Sequence, residues 1–353
     1  VYKRQAPHRL SILSECSRRH WLETRGGLRS NPIMPLSEEA NSTDSKENLD
    51  RALLGLVVHR IVEIGIGNPG LISSSSPSLP NSWTKKNPNG ITNLETHKKI
   101  YNELIPNFST SSHMNGIVSE MTTRLSNSRL GRLVSGEVIQ GEKVEGLRTE
   151  LPFHISFNVP IDSLTRNRWT PNGPEDLSII NEVLVQMDGF IDLVLCTDSD
   201  EGPSIRPIDL KTEEASKLST GQLDGLLESL GDESYEPSCD AEYSMLHHHR
   251  MQLALYYRAL EKIEQMKTHP RRVLRPAIWV GVTGRLVEYP EKLFLEAQKE
   301  LEEILHKVAS IELNSDDTLS NYPPLPLESS EPCKSCPFSK GSMPICGPKK
   351  QEL

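Results

Sequence analysis

The sequence predicts an α/β (α+β) fold, and three observations carry that prediction. A helical stretch that is apolar nearly all round lies early in the chain, at residues 49–66. Alternating strand patterns then cluster in the middle. The second half runs helix, strand pair, helix, so strands and helices are interleaved around one core.

In chain order, residues 1–5 read VYKRQ, like one translated frame of a sequencing-adaptor end. They are set aside as an expected scar, which would leave the natural N-terminus missing. Residues 6–353 are expected to form one domain. Residues 7–25, PHRLSILSECSRRHWLETR, predict a short basic helix opened by Ser11, with Cys16 in its body. The buried helix over 49–66, LDRALLGLVVHRIVEIGI, is interrupted by His59 and Glu63, four residues apart and therefore on one face. Residues 67–92 are rich in Ser, Pro, Asn and Gly and read as an insertion, and 93–130 read as helices. Strands follow at EGLRTELPFHISFNV and NEVLVQMDGFIDLVLC, separated by an insertion over about 160–181. The turn TDSDEGPS leads into the short strand IRPIDLKT, so this group reads as antiparallel strands joined by hairpins. An acidic insertion occupies about 212–243. Beyond it come one long helix, SMLHHHRMQLALYYRALEKIEQMK, the strands PAIWVGVT and RLVEY around a Thr-Gly turn, and a helix from Pro290 to about Ala309.

Composition bounds the function. Apolar residues make up 36%, charged residues 25%, and no run is apolar enough to span a bilayer. Six cysteines are too sparse for a secreted disulfide scaffold, so an intracellular, reducing compartment is expected. The net charge of −9 is unevenly spread: residues 212–243 hold nine acids and one base, whereas residues 3–29 hold seven bases and two acids. Local basic surface, rather than the total, decides whether a phosphate backbone can dock.

The chemistry concentrates in PIDLKT. Residues two apart in a strand share a face, so Asp209 and Lys211 point one way and Ile208 and Leu210 the other. If the preceding strand pairs around TDSDEGPS, Asp192 converges with Asp209, and two carboxylates together suit Mg²⁺ or Mn²⁺. An isolated Asp-x-Lys is ordinarily a surface ion pair, and a lone His59 is ordinarily a satisfied core histidine. Gln252 and Tyr256 share one helix face at i, i+4. At the C-terminal end, Cys333, Cys336 and Cys346 form three parts of a soft-metal site that fits zinc as well as iron.

Taken in order, Cys16, Gly55-x-x-x-His59-x-x-x-Glu63, Gly189-x-x-Asp192, Asp209-x-Lys211, Gln252-x-x-x-Tyr256 and Cys333-x-x-Cys336…Cys346, the set resembles the RecB-like branch of the PD-(D/E)XK nuclease superfamily. The likeness is to members with an iron–sulfur cluster: CRISPR-associated RecB-like exonucleases, the exonuclease V group and the nuclease domain of AddB. It implies a restriction-endonuclease-like core, a central mixed sheet flanked by helices. His59, Asp192 and Asp209 would then be Mg²⁺ or Mn²⁺ ligands with the Leu210 carbonyl, Lys211 the catalytic lysine, and Gln252 and Tyr256 would contact DNA or brace the site. Glu63 and Glu150 would be accessory acids. Cys16 would complete a [4Fe-4S] clasp with Cys333, Cys336 and Cys346, with zinc as the other occupant; the gap before Cys346 is longer than these nucleases usually have. The implied activity is a single-stranded DNA exonuclease in repair or recombination. CRISPR adaptation, structure-specific endonuclease activity and a non-catalytic DNA-binding scaffold stand as alternatives. The chain holds no helicase phosphate loop, so an unwinding partner would be a separate chain.

Overall fold

The computed structural model describes residues 2–5, 10, 12–14, 16–24, 55, 58–59, 116, 120–121, 123–125, 127–134, 137–160, 167–170, 173–176, 182–212 and 234–313. Within them lie nine strands and five helices. The strands are β1 (Tyr2–Gln5), β2 (Lys143–Pro160), β3 (Asn167–Thr170), β4 (Gly173–Asp176), β5 (Glu182–Asp198), β6 (Ser204–Lys211), β7 (Arg272–Val273), β8 (Ala277–Val280) and β9 (Arg285–Glu288). The helices are α1 (Ser17–Thr24), α2 (Arg129–Val134), α3 (Asp240–His248), α4 (Arg250–Gln265) and α5 (Glu291–Leu313). None is long and apolar enough to cross a membrane, among the described residues.

The chain divides into two compact units, one of residues 1–41, 154–189 and 298–353, the other of residues 42–153 and 190–297. In the first, β1 lies parallel to the opening half of β5, with Tyr2 opposite Leu184, and β3 and β4 form a short antiparallel hairpin. That hairpin falls inside the stretch expected to be an insertion.

The second unit holds β6 to β9 and the closing half of β5. The closing half of β5 runs antiparallel to β6 with Leu193 opposite Ile208, which confirms the hairpin around Ser199–Gly202. Next to β6 lies β8, in parallel register, and β9 returns antiparallel to β8. The sheet is therefore mixed, not a purely antiparallel meander. The crossover from β6 to β8 passes through α3 and α4, and a helical crossover is what brings two strands into parallel register. Ala277–Val280 are buried throughout, as a strand covered on both faces requires. Helix α4 packs on β6, and α2 on β9.

Three element boundaries differ from the sequence reading. The helix expected over 7–25 is interrupted at Cys16, which stands immediately before α1. There its Sγ accepts the Arg19 N–H at 3.4 Å, the bond an N-terminal cap makes. The single helix expected over 244–267 is two, because His249 departs from helical geometry (φ −95°, ψ 8°) between α3 and α4. The strand expected over 276–283 stops at Val280, because Gly281–Gly284 make the turn and Gly284 takes φ +74°. A fixed ion pair ties this end of the sheet down: Arg285 on β9 meets Glu242 on α3 at 2.5 Å, both fully buried. The same guanidinium donates to the Ser234 and Glu236 carbonyls.

Candidate metal centre

The centre is built where β5, β6, β2 and the segment around His59 meet within the second unit. Leu193 pairs with Ile208, so one further step of the register sets Asp192 opposite Asp209. Both carboxylates are thus delivered by one hairpin, as the sequence predicts. Alternation hides the flanking residues: Ile191, Leu193 and Ile208 have no exposed surface.

Three donor groups gather there. One ligand atom each from His59, Glu150 and Asp192 lies within 4.8 Å of the other two. His59 Nδ1 is 3.7 Å from Glu150 Oε1, and His59 Nε2 is 3.8 Å from Asp192 Oδ2. The Leu210 backbone is held from both ends: its N–H donates to Asp192 Oδ2 at 3.0 Å, and its carbonyl accepts His59 Nε2 at 3.1 Å. Glu150 reaches the cluster from a left-handed backbone, φ +46° within β2. A non-glycine residue there is strained, and strain of that kind concentrates at functional sites.

Asp209 plays a different part from its partner. It has no exposed surface, Lys211 Nζ stands 2.8 Å from its Oδ2, and Gln252 Nε2 donates to its Oδ1 at 3.2 Å. Gln252 also donates to the Tyr256 hydroxyl at 2.6 Å, so the i, i+4 pair shares one face of α4 as the spacing predicts, and Gln252 turns toward Asp209. The Phe153 ring meets the Tyr256 ring edge-on and closes that side.

The electrostatics follow from crowding charge in a buried place. Burial, and then the Asp209 charge, push the Asp192 carboxyl up to about 8. Burial also acts on Asp209, but the Lys211 ammonium and then His249 outweigh it and hold that carboxyl below its ordinary value. Burial alone would lower His59; Glu150, Asp192 and the Leu210 carbonyl together raise it. Tyr256 is pushed up by burial and by the two aspartates, so its hydroxyl stays protonated.

An imidazole and two carboxylates, one of them raised by burial and the Asp209 charge, form a donor set that a divalent cation relieves. The residues present therefore fit Mg²⁺ or Mn²⁺. The ion would be held by His59, Asp192 and Glu150, with Asp209 adjoining. Glu150, expected as accessory, is drawn in as a full member. Two contributors were not legible in the sequence. His249 adds positive field at Asp209. Gly281 donates its N–H to the Lys211 carbonyl at 2.8 Å and leaves no room for a side chain.

Glu63, Cys333, Cys336 and Cys346 lie outside the described residues. Cys16 is buried at the head of α1. Cys196 is a core residue of β5, and burial pushes its thiol up.

The model of the PD-(D/E)XK nuclease superfamily matches residues 4–341. No curated protein matches the chain.

Proposed function

This chain belongs to the PD-(D/E)XK nuclease superfamily, and from that premise we propose that it is a Mg²⁺- or Mn²⁺-dependent exonuclease acting on single-stranded DNA in repair or recombination. Family membership supports the nuclease itself. The observation that carries the site assignment is the His59, Glu150 and Asp192 cluster beside the Asp209–Lys211 pair.

His59, Glu150 and Asp192 would hold a divalent ion, which would supply polarisation of the scissile phosphate and acidification of a water. The chain's own groups do the rest. Asp209 fixes Lys211, whose ammonium orients the attacking water and balances charge growing on the phosphate. Gln252, braced on Tyr256, fixes Asp209 in turn. His59 and Asp192 lock the Leu210 backbone between the two aspartates, so the carboxylates keep their spacing.

The second part of the proposal is the clasp of Cys16, Cys333, Cys336 and Cys346 around a [4Fe-4S] cluster. Cys16 supports it as a buried thiol at the head of α1 whose sulfur accepts the Arg19 N–H.

The test uses end-labelled single- and double-stranded DNA with Mg²⁺ or Mn²⁺, and circular single strands alongside. Degradation of linear single strands, sparing of circles and abolition by EDTA are the expected results; cleaved circles would make it an endonuclease. Anaerobically purified protein is expected to be brown and to carry iron and sulfide. Colourless protein with stoichiometric zinc would replace the cluster and leave the nuclease reading intact.

A further inference from the structure

We propose that Phe190 is a stacking platform for an unpaired base of the DNA strand whose phosphate enters the metal centre. The inference rests on the nuclease reading above and deepens it by locating a source of single-strand preference.

The argument starts from the pleat of β5. Within the second unit, Ile191 and Leu193 on the odd face are completely buried. The even face carries Phe190 and Asp192. Phe190 is 58% exposed, a large apolar ring held open to solvent. Four other large apolar side chains are comparably open among the described residues: Val138, Tyr243, Met266 and Leu295. These lie in a connecting segment, on helices or at a helix end; Phe190 alone is on a strand. Single exposed apolar residues are common and need no explanation. What sets Phe190 apart is its neighbour on the same face, the Asp192 carboxylate of the donor cluster, two residues and about 7 Å away along the strand.

That placement fits one occupant. A phosphate drawn to the cluster brings its own nucleotide base with it. An exposed ring beside the cluster offers that base a face to stack on. Stacking needs a base whose π-face is free, which a single strand supplies and a duplex does not. It also ignores base identity, because every base has such a face. The strand therefore presents a phosphate-directed group and a base-directed group side by side.

Lys211→Ala protein removes cleavage from the measurement. In that background, binding of a labelled oligothymidylate in Mg²⁺ is compared for Phe190, Phe190→Ala and Phe190→Trp. Alanine is expected to weaken binding about 5- to 150-fold, the range for one lost base stack. Tryptophan is expected to retain binding, and its fluorescence to be quenched as the oligonucleotide is added, a signature that a merely structural role would not give. In the cleaving protein, Phe190→Ala is expected to raise KM for single strands more than it lowers kcat. Equal binding by the alanine variant, or tryptophan emission indifferent to DNA, would overturn the platform while leaving the nuclease standing. Failure of the wild-type chain to cut any DNA with Mg²⁺ or Mn²⁺ would overturn both.

Discussion

The Lys211 ammonium meets the Asp209 carboxylate at 2.8 Å, and that carboxylate has no exposed surface while the lysine keeps 17% of its own. Each residue is therefore the other's main compensation for burial. Under the proposed mechanism Lys211→Met removes the cation at the reacting phosphate and should lower cleavage at least about 100-fold. It should also destabilise the fold by up to about 3 kcal/mol, since it strands a buried charge. Asp209→Asn should lose cleavage as well, but with a smaller stability change, because its amide oxygen can still accept from Gln252. Turnover of single-stranded DNA and urea melts on the same preparations separate the two effects. Wild-type digestion by Asp209→Asn would remove Asp209 from the site.

Asp192 makes stability depend on pH in a stated direction. Its carboxyl is pushed from 3.8 up to about 8, first by burial and then by Asp209. The native chain thus holds a proton that the unfolded chain releases near pH 4. The associated stability is complete below that pH and is lost as pH rises through about 8. Metal-free Asp192→Asn should therefore melt higher than the wild type above pH 8, and the difference should vanish in acid. Mg²⁺ should raise the wild-type melting temperature and leave the variant nearly unmoved. Thermal melts with EDTA or Mg²⁺ check both signs.

Gly281 packs against the end of β6 and fixes its position. A Cβ there would lie 2.9 Å from the Lys211 carbonyl oxygen and 3.3 Å from the Thr212 Cα, both backbone atoms that cannot swing aside. Gly281→Ala should cost about 1–3 kcal/mol of stability through overpacking, and reduce kcat further by displacing Lys211. Gly116, with nothing within 4 Å of its Cβ position, is the control: its alanine variant should be as stable as the wild type or slightly more so. Equal activity of both variants would show that the Lys211 backbone is not so constrained.

The sequence exposed what local pattern encodes. The β5–β6 hairpin followed from two alternating runs around an acidic turn, and it set Asp192 beside Asp209. The i, i+4 spacing of Gln252 and Tyr256 put both on one face of α4. What stayed hidden depends on tertiary approach. The parallel pairing of β6 with β8 is a choice of neighbour, not of period. The break at His249 occurs within a run whose composition favours continuous helix. The close passage of Gly281 over Lys211 leaves no mark in sequence beyond the glycine itself.

Glu150 joins the cluster at a conformational cost that can be measured. Its backbone takes φ +46°, a left-handed conformation that costs a non-glycine residue roughly 1–2 kcal/mol. Its carboxylate stands beside His59 and Asp192, and such strain persists where the surrounding structure over-determines it. Glu150→Gly relieves the backbone and removes the donor together. It should melt higher than the wild type without metal, and should lose most of the gain in melting temperature that Mg²⁺ gives. Glu150→Gln keeps the strain and removes only the charge, so it should match the wild type in EDTA within about 0.5 kcal/mol and share the glycine variant's weak metal response. A glycine variant that responds to Mg²⁺ as the wild type does would exclude Glu150 from the metal centre, and the left-handed turn would then belong to the path of β2 alone.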